Sequence, residues 1–336
     1  MAGSVVNSIT TKKEDYADSL ALVDARNLPF TSAVKKDPAA TNPRFDWTAD
    51  TYRTAPLFPG VVDGADATDF QDEFSNRAKL YNYVQEYRET PKVSQLTQEA
   101  TDMPGATNPI AAAVAKGLVE LKRGMEASFL SSQDAQVDTG GVPYLTCGLG
   151  LWISTGGPTV ASCPSGQRPA SGQVITTATA SLDEDTDMQG ILKAIFDAVG
   201  MVSDSYMLLA GSTLRRRITS MTRIAVNSGS TNSANRVRTF DYKGTDATIC
   251  SSTTTFDGDF GSFSVVPSSW IGMTTGSSTV DVTRGYLLDM SKISLRYNTR
   301  PNVRELPDLG GGPRRLIRAV AGLQVDSPKG MGKFQP

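Results

Sequence analysis

The 336-residue chain contains no histidine. That absence excludes the Ser-His-Asp triad, the Cys-His dyad, histidine-ligated zinc and the histidine general base. Cysteine is almost as scarce, and Cys147, Cys163 and Cys250 form no Cys-x-x-Cys pair. So sparse and odd a count suits free, dispensable thiols in a reducing cytoplasm, with a Cys147–Cys163 loop disulfide as the alternative. No apolar run approaches the roughly 18 residues that span a bilayer. The opening MAGSVVNSITTKKEDYADS lacks the apolar segment of a signal peptide. A soluble cytoplasmic chain with no membrane partner is expected. Basic excess is missing too: 33 Lys and Arg face 35 Asp and Glu, for a net charge of −2 and a pI near 5.4. That balance argues against a dedicated nucleic-acid binder.

What is present suffices for a sizeable core. Apolar residues make up 39% and charged residues 20%, far from the balance of a disordered chain, and the length suits about two domains at roughly 150 residues each. Residues 1–43, broken by Pro29, Pro38 and Pro43, read as an extended arm with at most a short helix near 13–25. RFDWTADTYRT (44–54) and the aromatic, β-branched stretch 77–95 read as long strands. Between them lies a turn-rich acidic tip holding Pro56, Pro59, Gly60, Gly64, Asp63, Asp66, Asp69 and Asp72. An isolated hairpin is marginal in water, so this arm is expected to rest on a neighbour.

The clearest periodicity lies at 108–131. Asn108 can cap, Pro109 suits the first helical position, and Ile110, Val114, Leu118, Leu121, Met125 and Phe129 form one helical stripe. Burying each is worth about 1.5–3 kcal/mol before entropy. Gly117 and Gly124, seven apart, suggest close backbone packing on this helix. The stripe is expected to meet strands from 291–325. Residues 139–182 read as loops and short strands. Asp187 is expected to cap a helix at 188–199 that Gly200 ends. YMLLAG (206–211) reads as a buried strand, after which Ser212 starts another helix. Strands follow at 236–243, 260–268, 285–290, 293–298 and 314–328, with GGGP (310–313) as a break.

Several local motifs carry little chemistry. Asp183, Asp185 and Asp187 begin a calcium-loop pattern, but Met188 and Ala194 stand where Gly and Glu belong, so an acidic helix start is expected. Asp259-Phe260-Gly261 spells a kinase triplet without the accompanying His-Arg-Asp loop and reads as a hairpin turn. Ser32-x-x-Lys35 lacks the other elements of a serine acyl-transfer site, and Gly148-Leu-Gly150 meets Ile153 where a dinucleotide fingerprint needs a small residue. Arg215, Arg216 and Arg217 fan around a helix and read as a solvated or intersubunit face. Arg314, Arg315 and Arg318 read as facing a partner or solvent, with DNA contact as the lesser alternative. No catalytic, cofactor-binding or metal-binding residue is assigned, and no cofactor.

Taken in order, PRFDWTAD (43–50), GADATD (64–69), NPIAAAVAKGLVELKRGMEASFL (108–130), FDGDFGSFSVVPS (256–268), GYLLDMSKISL (285–295) and LGGGPRRLIRAVAGLQVDSPKGMGKF (309–334) resemble the major capsid proteins of tailed bacteriophages, with their Hong Kong 97-type fold. The resemblance covers about 27–334. It departs in the Val-Asp before Gly64 and in a longer Ser- and Thr-rich stretch at 154–181. It implies an α+β chain with an N-terminal arm (1–43), an extended E-loop (44–95), a peripheral domain (96–181 and 291–325) with spine helix 108–131, and an axial domain (182–290 and 326–336). It also implies self-assembly into hexamers and pentamers of an icosahedral head, formed in the host cytoplasm and enclosing double-stranded DNA held by weak non-specific contacts. Portal, scaffold and cement proteins are implied as partners. An encapsulin-like compartment of the same fold and, in a different class, a histidine-free enzyme are the alternatives. Some capsids of this fold cross-link an E-loop lysine to a neighbour's asparagine. Here the tip from Thr54 to Asn76 has no lysine, and Lys79 and Lys92 lie on the returning strand, so a shell without covalent cross-links is expected.

Overall fold

The computed structural model describes residues 28–37, 39–52, 60–66, 72, 74–99, 108–200, 206–221, 254–273 and 280–335, and backbone alone at 224–226, 235–237, 240–243 and 246–249. The N-terminal expectation for 13–25, the tip residue Asp69 and Cys250 lie outside them. In chain order come α1 (Pro29–Ala33), β1 (Lys35–Asp37), β2 (Arg44–Ala49), β3 (Ala78–Tyr83), β4 (Gln85–Glu89), α2 (Gln95–Glu99), α3 (Pro109–Phe129), α4 (Leu149–Trp152), β5 (Val174–Ile175), α5 (Gln189–Val199), β6 (Tyr206–Ala210) and α6 (Ser212–Met221). There follow β7 (Ile224–Val226), β8 (Asn235–Val237), β9 (Phe240–Lys243), β10 (Asp246–Ile249), β11 (Thr255–Gly258), β12 (Gly261–Pro267), β13 (Gly285–Asp289), β14 (Ile293–Leu306), β15 (Arg314–Val325) and β16 (Gly332–Phe334). The principal sheets run β1-β14-β15-β4 and β11-β12-β6-β13-β16-β5.

Arg88–Leu121 and Asn302–Ile317 belong to one compact unit. Helix α3 starts as its sequence dictates: Asn108 Oδ1 accepts from the Ala111 N–H at 3.3 Å, and Pro109 needs no partner for a missing donor. Gly117 is there for contact, since a Cβ would lie 2.8 Å from Ile317 Cδ1. Gly124 is exposed with open space around it, so the paired-glycine seam is half right.

The second unit comprises Leu28–Tyr87, Lys122–Pro301 and Arg318–Pro336. Met125 and Phe129 continue the α3 stripe into its core. The six-stranded sheet holds β6 in its middle, parallel to β12 and antiparallel to β13. All five β6 residues are buried, the pattern of a strand covered on both faces. Ile191, Leu192 and Ile195 from α5, with Leu214 and Ile218 from α6, join one cluster with Leu208, Ala210 and Phe263. Asp187 does not cap α5 from outside. It sits in a π-helical turn, Glu184–Met188, where its carboxylate accepts from Asp183 N and Thr177 Oγ1, both at 2.8 Å. Gly200 ends α5 at φ 91°, as expected. Phe196 and Val199 stay partly exposed, and Phe196 meets Phe260 with ring centroids 5.3 Å apart. Asp259 and Phe260 form the two-residue turn between β11 and β12, where Gly258 pairs with Gly261.

The arginine triplet corrects its sequence reading. Arg215 donates to Val265 O at 2.7 Å, and Arg217 donates twice to Leu182 O. Two of the three therefore satisfy backbone carbonyls within their own chain, and only Arg216 is exposed.

Lys333 in β16 is 5% exposed and donates to Gly150 O at 2.9 Å. Burial, helped by the nearby Arg284 guanidinium, lowers its pKa from 10.5 to about 8. The unfolded chain keeps this amine charged to about pH 10. It therefore binds more protons than the folded chain between those values, and stability contributed by Lys333 rises with pH there. Below pH 8 the full penalty of the charged amine remains. Cys147 and Cys163, raised by burial, and Tyr206 and Tyr286, also raised by burial, pull the other way above their ordinary values. Subtracting the Lys333→Met melting curve from the wild-type curve is expected to isolate a gain of up to about 3 kcal/mol between pH 8 and 10. Identical pH profiles would assign that slope to other groups.

Candidate interaction surfaces

The β2–β3 hairpin pairs in six-residue register from Arg44↔Tyr83 to Ala49↔Ala78. Its base is nailed into the core. Trp47 stacks on Phe45, meets Trp152 at a tilt and donates from Nε1 to Val325 O at 3.2 Å. Asn82, fully buried, uses both donors on Leu323 O and Thr146 Oγ1, and its oxygen accepts from Tyr83 N and Cys147 N. A buried amide satisfied on all sides fixes position strongly, because losing any one partner leaves a desolvated polar group.

Toward the tip this support stops. Tyr52, Val61, Val62 and Phe74 are 102%, 82%, 79% and 66% exposed, and Asp63, Asp66 and Asp72 are exposed among them. Gly64, at φ 80°, makes the turn there. Large apolar groups thus stand bare beside exposed carboxylates among the described residues of this element. Lower on the hairpin, Lys79 lies 2.6 Å from Asp46 and Arg44 2.8 Å from its other oxygen. Burial opposes the Asp46 charge, but these hydrogen bonds outweigh it and hold its pKa below the ordinary value. The arm lysine nearest the tip is thus engaged in an ion pair.

Glu126 escaped the sequence reading. It is fully buried on α3, with Oε1 accepting from Phe30 N and Oε2 from Thr31 N, both at 2.8 Å, and from Thr31 Oγ1 at 2.6 Å. Leu28 at the start of α1 has no capping side chain, so a carboxylate 96 residues away performs the N-cap's task. The available signal was a Leu-Pro pair that leaves two donors without a local partner.

The remaining motif residues disperse. Asp183 and Asp185 are exposed, and no group of three or more acidic or thiol side chains able to hold a metal occurs among the described residues. Lys35 lies on β1 rather than one helical turn from Ser32, whose hydroxyl donates to Leu28 O. Gly148 and Gly150 belong to α4 and its start. Cys147 and Cys163 are free and buried. Arg315 pairs with Glu305, and Arg318 pairs with Glu86 at 2.8 Å. The 154–181 segment is tied down by Asp134, which accepts from Thr159 N and Val160 N, and by Gln173, which donates to Lys329 O and Met331 O. Among the described residues no helix is long and apolar enough to cross a membrane.

Comparison with known proteins places this geometry. The family model described as SU10 major capsid protein matches residues 3–336. The fold is similar to that of a solved structure from Mycobacterium phage Bobi, at 12% identity and TM-score 0.58 over 99% of this chain and 98% of that one. It is similar to the capsid of a native GTA particle, at 11% identity and TM-score 0.57 over 99% of each chain. A holo-SrpI encapsulin from Synechococcus elongatus gives 11% identity and TM-score 0.54 over 99% and 95%. No curated protein matches the chain in sequence.

Proposed function

Because the chain belongs to the SU10 major capsid protein family, we propose that its copies form hexamers and pentamers that close into an icosahedral head around phage double-stranded DNA. The chain is a structural protein of the virion with the Hong Kong 97-type capsid fold, and it builds a shell from many copies of itself. The observation that carries the finer reading is the family match over nearly the whole chain. Two features support it: a hairpin anchored at its base and apolar at its tip, and a near-neutral charge that suits a container making only weak contact with DNA. In this reading 1–43 is the N-terminal arm and 44–95 the E-loop. Residues 96–181 and 291–325 are the peripheral domain, and 182–290 and 326–336 the axial domain. Portal, scaffold and cement proteins complete the particle. The encapsulin shares the fold alone, and the family match favours the phage shell.

Negative-stain microscopy of purified protein is expected to show closed shells sedimenting as very large particles. A small oligomer under all assembly conditions would overturn the proposal. With no lysine at the tip and Lys79 paired to Asp46, boiled mature particles are expected to give one main band near 35.8 kDa. A ladder surviving boiling and reductant would refute the absence of cross-links.

A further inference from the structure

The chain holds two Asp-Gly pairs, Asp63-Gly64 and Asp257-Gly258, in opposite settings. Such a pair has a chemistry of its own. The glycine amide nitrogen can attack the carboxyl carbon of the preceding aspartate side chain. The amide proton and the carboxyl hydroxyl leave together as water, and a five-membered imide closes. Water then adds back at either carbonyl, giving aspartate or isoaspartate. The net reaction is an isomerisation that needs no oxidant and no second substrate. Glycine favours it because no Cβ crowds the attacking nitrogen. What decides the outcome is whether the backbone can turn that nitrogen toward the carboxyl.

At Asp63 the backbone has room to turn. Every residue from Gly60 to Asp66 is exposed. Ala65 N donates to Val62 O at 3.1 Å, and Gly64 takes a φ of 80°, the left-handed place in a type II turn. Nothing lies within 4 Å of where a Gly64 Cβ would sit. At Asp257 the backbone is held. Asp257 and Gly258 pair with Ser262 and Gly261 in the β11–β12 ladder. A Cβ on Gly258 would lie 2.7 Å from Gln189 Oε1 and 2.8 Å from Leu192 Cδ1. The same Gln189 oxygen accepts from Asp259 N at 3.2 Å. We infer that Asp63 is a covalent modification site that isomerises spontaneously to isoaspartate, while the fold protects Asp257. Isoaspartate lengthens the main chain by a methylene, so the Val62–Ala65 turn no longer closes as before and Val61 and Val62 are redirected. On the reading that the arm lies on a neighbour in the shell, the altered tip no longer fits, and isomerised subunits are left out of particles.

Peptide mapping of purified subunits aged for weeks in neutral buffer tests the site, with an isoaspartyl methyltransferase to mark the product. At least about tenfold more isoaspartate is expected at 63 than at 257, because closure at Asp257 must first break ladder bonds and packing. In denaturant the two sites are expected to react at similar rates. No isoaspartate at 63, equal levels at both sites in the folded chain, or an undiminished difference in denaturant would overturn the inference. Asp63→Glu, which would have to close a larger ring, is expected to remove the product at 63 with unchanged subunit melting. Shells grown from aged wild-type subunits are expected to hold less isoaspartate than the subunits left over. Aged Asp63→Glu subunits are expected to keep the shell yield of fresh ones. Equal isoaspartate in shells and leftover subunits would overturn the exclusion while the modification site stands. Shells formed without residues 57–72 would overturn the arm reading itself.

Discussion

Subunits lacking residues 57–72 are expected to fold normally and to build no shells. The described residues within that stretch, 60–66 and 72, are all exposed, so their removal takes nothing from the core. The β2–β3 ladder lies outside the deletion, and the shortened connection still has enough residues to close it at little entropic cost. Trp47 and Asn82 keep their partners. What disappears includes Val61 and Val62 with their acidic neighbours, all exposed in the subunit. Assembly multiplies each lost contact over all copies, so the change reads as presence or absence of particles. Sedimentation should move from a fast particle peak to subunits or capsomers, with circular dichroism unchanged. Wild-type particles from the deletion would remove the arm from the account of assembly.

The largest expected loss of subunit stability follows Glu126→Ala. Three hydrogen bonds to a carboxylate vanish together, and the Phe30 and Thr31 donors are left without a cap in a buried setting. The cost is expected to be about 3 kcal/mol, read from denaturant unfolding of the isolated subunit. Glu126→Gln keeps one acceptor but turns a donor toward donors, so it should fall between wild type and alanine. The effect should reach β1, which follows α1 directly and pairs with β14 only at Lys35↔Ser294, Lys36↔Leu295 and Asp37↔Arg296. Hydrogen exchange at Phe30 and Thr31 should accelerate ahead of the rest of the chain. Unchanged exchange there, with unchanged unfolding, would show that α1 needs no cap.

Helix α3 and the hairpin were legible because their signals are local: a stripe of steps 3 and 4, and aromatic, β-branched strands around a Gly- and Asp-rich turn. The departures come from contacts that sequence distance hides. β14 was expected to stop at Asn298, before Pro301, yet it runs to Leu306. β1 covers only its first residues, so Pro301 lies where the strand has an open edge among the described residues and its missing donor costs nothing. β5 and β16 hold two and three residues, too few for any period, and Lys333 disguises the second as surface. Arg215 and Arg217 look like any exposed basic run until Val265 and Leu182 are placed beside them. For the interaction surface, the acidic tip was readable from composition. The cap supplied by Glu126 was not, because a carboxylate beside an apolar stripe does not reveal which distant backbone it serves.

The way the hairpin is fastened also sets how it bears force. A pull on the tip along the arm draws β2 and β3 in the same direction, so it does not part their ladder. The tension passes down both strands at once and arrives at the Trp47 and Asn82 attachments, where it is shared among several hydrogen bonds and a packed indole. The arm therefore acts as a tie rod whose weak point lies at its root. Were the arm seated on a neighbouring copy, an outward load on it would stretch those anchorages before it unzipped the β2–β3 ladder.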